Sequence, residues 1–186
     1  MHYDVCILGG GPAGATCAAL LRQQNPNLRV LILERDTFPR HQVGEVALPG
    51  WYNILERAGA LRMLDEKLPI KKAGVTFNWG PEGAGERWTA DFRDAQLNRP
   101  LPGSWHVDRA QFDHLLLEHA RQLGVHVREQ ARVVLVSRPS AESPHYEMAY
   151  QLGGQLQRTT STYLVDATGQ ARVVSRKWDL PVLRHD

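Results

Sequence analysis

The first third of the chain alternates short apolar runs with a helical pattern. Residues 3–8 form an almost unbroken apolar run, which predicts a strand buried on both faces. After three glycines, residues 13–23 have helical spacing, and the turn residues at 25–27 end that helix. A second apolar run at residues 28–33 ends in Glu34. This order of strand, helix and strand predicts a parallel pair with a right-handed crossover.

The middle of the chain predicts one helix and an antiparallel hairpin. Residues 51–64 carry apolar residues at helical spacing. Residues 74–79 and 88–92 are rich in β-branched and aromatic residues and flank a glycine-rich turn, which predicts paired strands. We therefore expect residues 70–105 to form an antiparallel sheet segment inserted into a domain that spans residues 1–186.

The last part of the chain predicts a capped helix and further strands. Asp108 is a typical N-cap for a helix that runs to about residue 123 and is closed by Gly124. Gly153-Gly154 indicates a hairpin turn. Apolar or β-branched segments predict additional strands at residues 125–136, 146–152 and 158–165. Together these patterns indicate an α/β fold with a parallel sheet.

Composition narrows the possible functions. The 186 residues are 42% hydrophobic and 23% charged, which is typical of one globular domain with a sizeable core. The formal net charge is +2 and no run of Lys or Arg forms a basic stripe, so nucleic acid is not an expected partner. The apolar runs are too short to cross a membrane, and the sequence enters the first predicted strand with no basic region or cleavage site ahead of it. We expect a soluble, cytoplasmic protein.

Several residue types are expected to be structural. Cys6 and Cys17 lie in the first predicted strand and helix, where buried, reduced thiols are expected. The eight histidines show no paired metal-ligand spacing, so no metal site is predicted. The five tryptophans are expected in the core; they are Trp51, Trp79, Trp88, Trp105 and Trp178.

The glycine-rich turn after the first strand carries the clearest chemical signal. In residues 9–14, Gly9 permits a tight turn, Gly11 lets the backbone approach a pyrophosphate, and Gly14 allows close helix packing. Pro12 and Ala13 complete the motif and begin the helix, whose free N–H groups favour an anion. Glu34 follows about 20 residues later, where a carboxylate accepts hydrogen bonds from a ribose. The pattern predicts a dinucleotide site; the alternatives are a tight turn without ligand and, for Glu34, a solvated strand end.

The same residues resemble a known family of flavoproteins. Residues 9–15 followed by Glu34-Arg35 are similar to the FAD site of the para-hydroxybenzoate hydroxylase class. Residues 38–45 resemble the segment that crosses the flavin in halogenases and related monooxygenases, and residues 105–113 resemble a helix start whose arginine reaches the cofactor. Residues 164–169 resemble the second FAD fingerprint of that class. The resemblance implies a Rossmann-like FAD-binding fold joined to an antiparallel sheet on the substrate side.

The resemblance also implies roles for individual residues. Arg40 and Arg109 would neutralise or orient FAD, and the backbone of Val133 would contact the adenine. The remaining cofactor-binding positions that it implies are Arg35, Gly44, Glu45, Asp166 and Gly169. Each has an ordinary alternative as a salt-bridged or packed residue, and for Val133 this alternative is a place in the core.

Lys72 is the residue that points to halogenation. Residues 72–80 resemble the lysine-bearing strand of flavin-dependent halogenases that act on phenols or pyrroles. In that family the lysine meets hypohalous acid made at the flavin; an ammonium can polarise the acid, or the amine can be chlorinated, and burial favours the amine by lowering a lysine pKa. Lys71 should face the other side of the strand. The alternative is a surface lysine on a sheet edge.

The chain also departs from the halogenase pattern. Val46 follows Gly44-Glu45 where halogenases usually have a serine. The sequence contains neither the third, Gly-Asp FAD motif nor the Trp-x-Trp-x-Ile-Pro segment that is common in halogenases. We therefore expect this chain to be the N-terminal portion of the enzyme.

The resulting hypothesis is a flavin-dependent halogenase that acts on an aromatic or carrier-bound substrate with halide and oxygen. Its FAD would be supplied reduced, by a separate NAD(P)H-dependent flavin reductase. Two alternatives stay open within enzymes, an aromatic hydroxylase and an isoprenoid-type flavin reductase, in which Lys72 has no catalytic role. A third, from another class, is a non-catalytic nucleotide-binding remnant or subunit.

Overall fold

A computed structural model describes residues 1–46, 49–68, 70–81, 85–92 and 104–181. Its helices are α1 (Pro12–Gln24), α2 (Gly50–Arg57), α3 (Leu61–Lys67), α4 (Arg109–Gln122) and α5 (Val173–Lys177). Its strands are β1 (His2–Leu8), β2 (Val30–Leu33), β3 (Glu45–Val46), β4 (Lys71–Lys72), β5 (Gly74–Trp79), β6 (Glu86–Asp91), β7 (Ser104–Val107), β8 (His126–Arg128), β9 (Arg132–Ser137), β10 (Tyr146–Leu152) and β11 (Gln155–Asp166).

The main sheet has six strands in the order β8-β2-β1-β11-β10-β9. Its first four strands are parallel, and Val5 of β1 lies between Val30 of β2 and Tyr163 of β11. Strands β10 and β9 continue the sheet as antiparallel neighbours. The sheet therefore confirms the α/β prediction, because the runs that begin the chain and the strand that ends at Asp166 share one parallel arrangement.

Strand β1 is buried on both faces, as its apolar run predicts. Val5 and Ile7 belong to one core cluster, which contains residues of α1 and α4. Cys6 and Leu8 point to the other cluster, which contains Met148 of β10. Neighbouring side chains of a strand alternate between faces, so an unbroken apolar run is needed where both faces are covered.

The single helix predicted for residues 51–64 is wrong, because the structure has two helices there. The chain turns at Gly59, which has φ of +71°, between α2 and α3. A Cβ at Gly59 would lie 2.4 Å from Nε2 of Gln23, so this turn is packed tightly against α1. His119 Nε2 also lies 2.8 Å from the carbonyl oxygen of Ala58. The contacts with Gln23 of α1 and His119 of α4 therefore accompany a break in the helix that the sequence pattern predicts as continuous.

The single strand predicted for residues 125–136 is also divided. Its first part is β8, on the β2 edge of the sheet, and its second part is β9, at the opposite edge. Between them, Gln130 has φ of 56° and the N–H of Ala131 donates to the carbonyl of Glu34. One straight strand cannot occupy two opposite edges of a sheet. The chain therefore passes the end of β2, at Glu34, on its way from β8 to β9.

Strands β3 to β7 form antiparallel ladders outside the main sheet. Strand β7 pairs with β3 on one side and with β4 on the other, and β5 pairs with β6 as a hairpin. None of the helices in the described part of the chain has the length and apolar character needed to span a membrane.

The core prediction for the tryptophans is confirmed for Trp105 and wrong for Trp79 and Trp88. Trp105 is buried, whereas Trp79 and Trp88 are 65% and 58% exposed. Both exposed rings stack on Phe77, with centroid distances of 6.0 and 5.3 Å. They form an aromatic row on the two-stranded hairpin, which has one ladder and therefore too little structure to bury its own face.

Candidate functional site

The turn after β1 requires glycine at two positions. Gly9 has φ of +100°, and a Cβ there would lie 2.5 Å from the carbonyl oxygen of Ala167. A Cβ at Gly14 would lie 1.9 Å from the carbonyl oxygen of Gly9. The turn is therefore packed between helix α1 and the end of β11, with no room for side chains.

The first turn of α1 presents backbone N–H groups beside an arginine. Gly11 is the N-cap in an extended conformation and Pro12 begins the helix; no side chain of the described residues caps it. A Cβ at Gly11 would lie 3.4 Å from Nη2 of Arg40. The positive end of a 13-residue helix and a guanidinium thus face the same space, which favours an anionic group.

Glu34 ties the glycine turn to the loop after β2. It is only 4% exposed, so the alternative of a solvated strand end is wrong. Its Oε2 accepts a hydrogen bond from the N–H of Gly10 at 2.6 Å, and its Oε1 accepts one from the N–H of Asp36 at 2.8 Å. Each carboxylate oxygen keeps a second lone pair. Sequence reasoning gave no role to Gly10, which makes this contact through its backbone.

Asp113 connects the two arginines that the resemblance implies. Its carboxylate is 0% exposed and receives two hydrogen bonds from Arg109, from Nε at 2.7 Å and from Nη2 at 2.9 Å. Nη2 of Arg40 lies 3.9 Å from Oδ2 of the same carboxylate. Asp113 had no role in the sequence analysis, although its spacing of four residues from Arg109 on a capped helix is a signal for such a pair.

Arg40 is held by the loop that carries it as well as by Asp113. Its guanidinium lies 4.9 Å from the centre of the Phe38 ring, and its Nη1 lies 3.9 Å from Oδ2 of Asp36. Among the described residues, Nε of Arg40 is buried and has no hydrogen-bond partner. Glu129 holds the same loop by accepting a hydrogen bond from the N–H of Phe38 at 2.5 Å.

The predicted second fingerprint lies beside the glycine turn. Leu8 of β1 pairs with Asp166 of β11, so both strands end at the same edge of the sheet. Asp166 Oδ1 accepts hydrogen bonds from the N–H and hydroxyl of Thr168, at 3.1 and 2.5 Å, and Oδ2 accepts one from Val174 at 2.8 Å. Gly169 has φ of 58° and begins the short helical turn that follows. Asp166 thus orders the segment next to Gly9.

The other predicted cofactor residues occupy varied surroundings. Arg35 is exposed and its Nε lies 3.4 Å from Oδ2 of Asp36. Val133 pairs with Tyr150 and packs on the second core cluster, which agrees with its core alternative. Gly44 precedes β3, and the backbone of Glu45 pairs with that of Val107.

Lys72 lies in β4, outside the main sheet. It is half-buried, and its Nζ lies 5.8 Å from the centre of the Phe92 ring. Its neighbour Lys71 is exposed and pairs with Asp65 at 3.4 Å, so the two lysines have different surroundings, as strand alternation requires. Lys72 pairs with Ser104 at the start of β7, and β7 leads directly to Arg109.

Metal binding receives no support in the described ranges. They contain no group of three or more His, Cys, Asp and Glu side chains that could hold a metal ion. The charged groups of the glycine turn are instead arranged around arginines, as suits an anionic ligand.

Comparison with known proteins identifies the family. The sequence profile of the tryptophan halogenase family matches residues 4–99. The chain belongs to this family. Among halogenases, it is 34% identical over 184 residues to a flavin-dependent halogenase of Armillaria mellea, covering 96% of this chain and 34% of the relative. It is 29% identical to the 1H-pyrrole-2-carbonyl peptidyl-carrier protein chlorinase of Pseudomonas fluorescens, covering 96% and 42%.

Solved structures agree with this membership in the tryptophan halogenase family. The flavin-dependent halogenase CmlS is 35% identical with a TM-score of 0.79, covering 96% of this chain and 31% of that one. A flavoprotein/dehydrogenase of Cytophaga hutchinsonii is 26% identical with a TM-score of 0.86, covering 100% and 44%. These matches confirm the predicted family and the Rossmann-like fold. The chain spans between about a third and somewhat under half of the length of the relatives it matches.

Proposed function

We propose that this chain forms the FAD-binding portion of a flavin-dependent halogenase. The observation that carries the proposal is the convergence of Arg40 on the glycine turn at the start of α1. A guanidinium beside Gly11 and free N–H groups at a helix N-terminus together suit a pyrophosphate.

The residues present fit such a cofactor. Gly9 and Gly14 let the turn and α1 pack closely on the end of β11, and the missing side chain at Gly11 lets a pyrophosphate approach the backbone. The buried Nε of Arg40, which has no partner among the residues described, is a donor that an anion would satisfy. The Arg40 guanidinium next to Gly11 is the charge that favours a group with two phosphates, whereas the Glu34 carboxylate binds the backbone N–H groups of Gly10 and Asp36.

Each predicted residue then has a proposed partner on the cofactor. The backbone N–H groups of Gly11, Ala13 and Gly14 and the Arg40 guanidinium hold the pyrophosphate. Glu34 accepts hydrogen bonds from the adenosine ribose with the lone pairs that its two backbone contacts leave. Arg109 and the backbone of residues 44–45 lie toward the flavin end, and the backbone of Val133 lies toward the adenine. Arg35, Asp166 and Gly169 border the site.

Lys72 is the proposed catalytic residue. Reduced FAD, when bound, would supply the two electrons with which oxygen and halide give hypohalous acid, water and oxidised FAD. The Lys72 ammonium holds that acid by hydrogen bonding, or its amine accepts the halogen with release of water. The Phe92 ring at 5.8 Å gives the side chain one fixed, apolar neighbour, which restricts where the amino group reaches.

The proposed substrate is an aromatic ring of the phenol or pyrrole type, free or attached to a carrier protein. The pyrrole chlorinase relative supports this class because its name specifies a carrier-bound pyrrole. A separate flavin reductase as the source of reduced FAD and a cytoplasmic location are part of the same proposal.

FAD binding by the purified 186-residue chain tests the cofactor assignment. Calorimetric titration should give a one-to-one complex that weakens when Arg40 is changed to Gln. The matched control is Arg35→Gln, because Arg35 is an exposed arginine of the same loop. Equal affinities for the two variants would contradict the site. FAD binding by the 186-residue chain, together with no halogenated phenol or pyrrole from the product of the whole gene, would support the non-catalytic alternative.

A further inference from the structure

The most completely buried charge in the site is the Asp113 carboxylate, which is 0% exposed. A buried carboxylate is retained only when other groups satisfy it, and Arg109 does so with two parallel hydrogen bonds at 2.7 and 2.9 Å. This pair alone would be a neutral structural unit of α4. Arg40 adds a third charged group to the pair, from a different part of the chain.

Arg40 comes from the loop after β2 and reaches the same carboxylate from another side. Its Nη2, at 3.9 Å from Oδ2 of Asp113, is also the atom that lies next to Gly11. One guanidinium nitrogen therefore lies between the buried carboxylate and the first turn of α1. Two arginines and one aspartate give this group of three a formal net charge of +1.

We propose that Asp113 is a positioning residue that acts through Arg40 to set the phosphate contact of the site. The proposal rests on the proposed FAD site. Asp113 does not touch the anion; it restrains the guanidinium that does. Arg109 orients the carboxylate with two hydrogen bonds, so that the restraint on Arg40 has a fixed direction.

Simple electrostatics gives the opposite expectation, which makes the proposal testable. If Asp113 only neutralised part of the local charge, Asp113→Asn would raise the net positive charge and strengthen anion binding. If Asp113 positions Arg40, the same change frees the guanidinium and weakens binding, because its ordering must then be completed on binding. The sign of the change in FAD affinity separates the two.

Asp36 supplies a matched control within the same loop. Its Oδ2 lies 3.9 Å from Nη1 of Arg40, the same separation as that of Asp113, but its side chain is 41% exposed. Exposed ion pairs order their partners weakly. Asp36→Asn should therefore change FAD affinity less than about twofold, since a solvated pair contributes little.

The experiment is a double-mutant cycle on FAD affinity. Asp113→Asn and Arg40→Gln should each weaken FAD binding about tenfold, which corresponds to about 1.4 kcal/mol. The double variant should bind about as weakly as Arg40→Gln alone, because Asp113 has no effect once Arg40 is absent. A multiplied loss of about a hundredfold, or stronger binding by Asp113→Asn, would overturn the positioning role.

Two further measurements keep the outcome interpretable. Thermal unfolding reports whether Asp113→Asn remains folded; if it does not, Asp113→Glu, which keeps the carboxylate but displaces it by one methylene, replaces it in the cycle. The amide signals of Gly11, Ala13 and Gly14 are followed by NMR on addition of inorganic pyrophosphate. A response to pyrophosphate without FAD binding would refute the FAD site. In that case the same double-mutant cycle, measured with pyrophosphate, still decides the role of Asp113. No response to either ligand would refute both.

Discussion

The carboxylate of Glu34 accepts a hydrogen bond from the backbone N–H of Gly10 at 2.6 Å, so the end of β2 is joined to the turn after β1. The contact is buried, and Oε1 of the same side chain holds the N–H of Asp36. The loop that carries Arg40 and the turn that carries Gly11 are therefore fixed to each other by one side chain.

Replacing Glu34 by Gln should destabilise the folded chain. One side of the new amide can only donate, and it would face a backbone N–H that needs an acceptor, at a cost of about 1–3 kcal/mol. The free energy of unfolding in urea measures this, with the exposed Glu56→Gln as control. Equal stability of the two variants would show that the Gly10 contact contributes nothing.

Gly14→Ala should lower both stability and FAD affinity, although it adds only one methyl group. The added methyl would lie 1.9 Å from the carbonyl oxygen of Gly9, so α1 or the turn must move. We expect a loss of about 1–3 kcal/mol in stability, typical of overpacking, together with weaker FAD binding. Gly50→Ala is the control, because a Cβ there meets nothing within 4 Å. Unchanged FAD affinity in Gly14→Ala would argue against the glycine turn as the phosphate site.

Lys72→Ala should abolish halogenated product while oxidation of reduced FAD by oxygen continues. Lys72→Arg should not restore the product, because a guanidinium effectively never deprotonates and has a fixed fork geometry. The control is Lys71→Ala, which removes an exposed lysine that pairs with Asp65. The measurement is product per flavin oxidised, in the product of the whole gene with one reductant supply. The same yield from all variants would exclude the lysine mechanism and leave the FAD assignment intact.

Cys6 should make stability depend on pH in the alkaline range. Burial raises the pKa of its thiol from 9.0 to about 12. Below pH 9 the thiol is protonated in both states, but above pH 9 only the unfolded chain gains from ionisation, so this contribution to stability falls between pH 9 and about 12. The difference in unfolding free energy between wild type and Cys6→Ala should shrink over this range. A constant difference would contradict the burial of the thiol.

Local signals in the sequence predicted most elements of the fold. The Asp108 cap, observed as a hydrogen bond from the N–H of Ala110 to Oδ1 at 2.8 Å, and the Gly153-Gly154 hairpin both depend on neighbouring residues alone. The breaks at Gly59 and Gln130 have distant causes, since Gln23 packs on the first and Glu34 binds next to the second. No pattern within a short window contains that information.

The candidate site shows the same division between local and distant causes. The conformations of Gly9 and Gly14 follow from a motif of six residues and were expected. The approach of Arg40 to Asp113 was missed because the two residues meet only after the chain has folded. The exposure of Trp79 and Trp88 was missed because an apolar pattern predicts a face and not what covers it.

Strand β7 sets a length scale between the two chemical centres of the chain. Lys72 pairs with Ser104 at its start, Glu45 pairs with Val107 at its end, and α4 begins at Arg109. At about 3.3 Å per residue, the backbone from Ser104 to Arg109 spans no more than about 17 Å. The length of the strand thus limits the backbone distance between Ser104, the partner of Lys72, and Arg109. Removing one of its residues would shorten the gap between lysine and arginine and turn the following side chains to the opposite face.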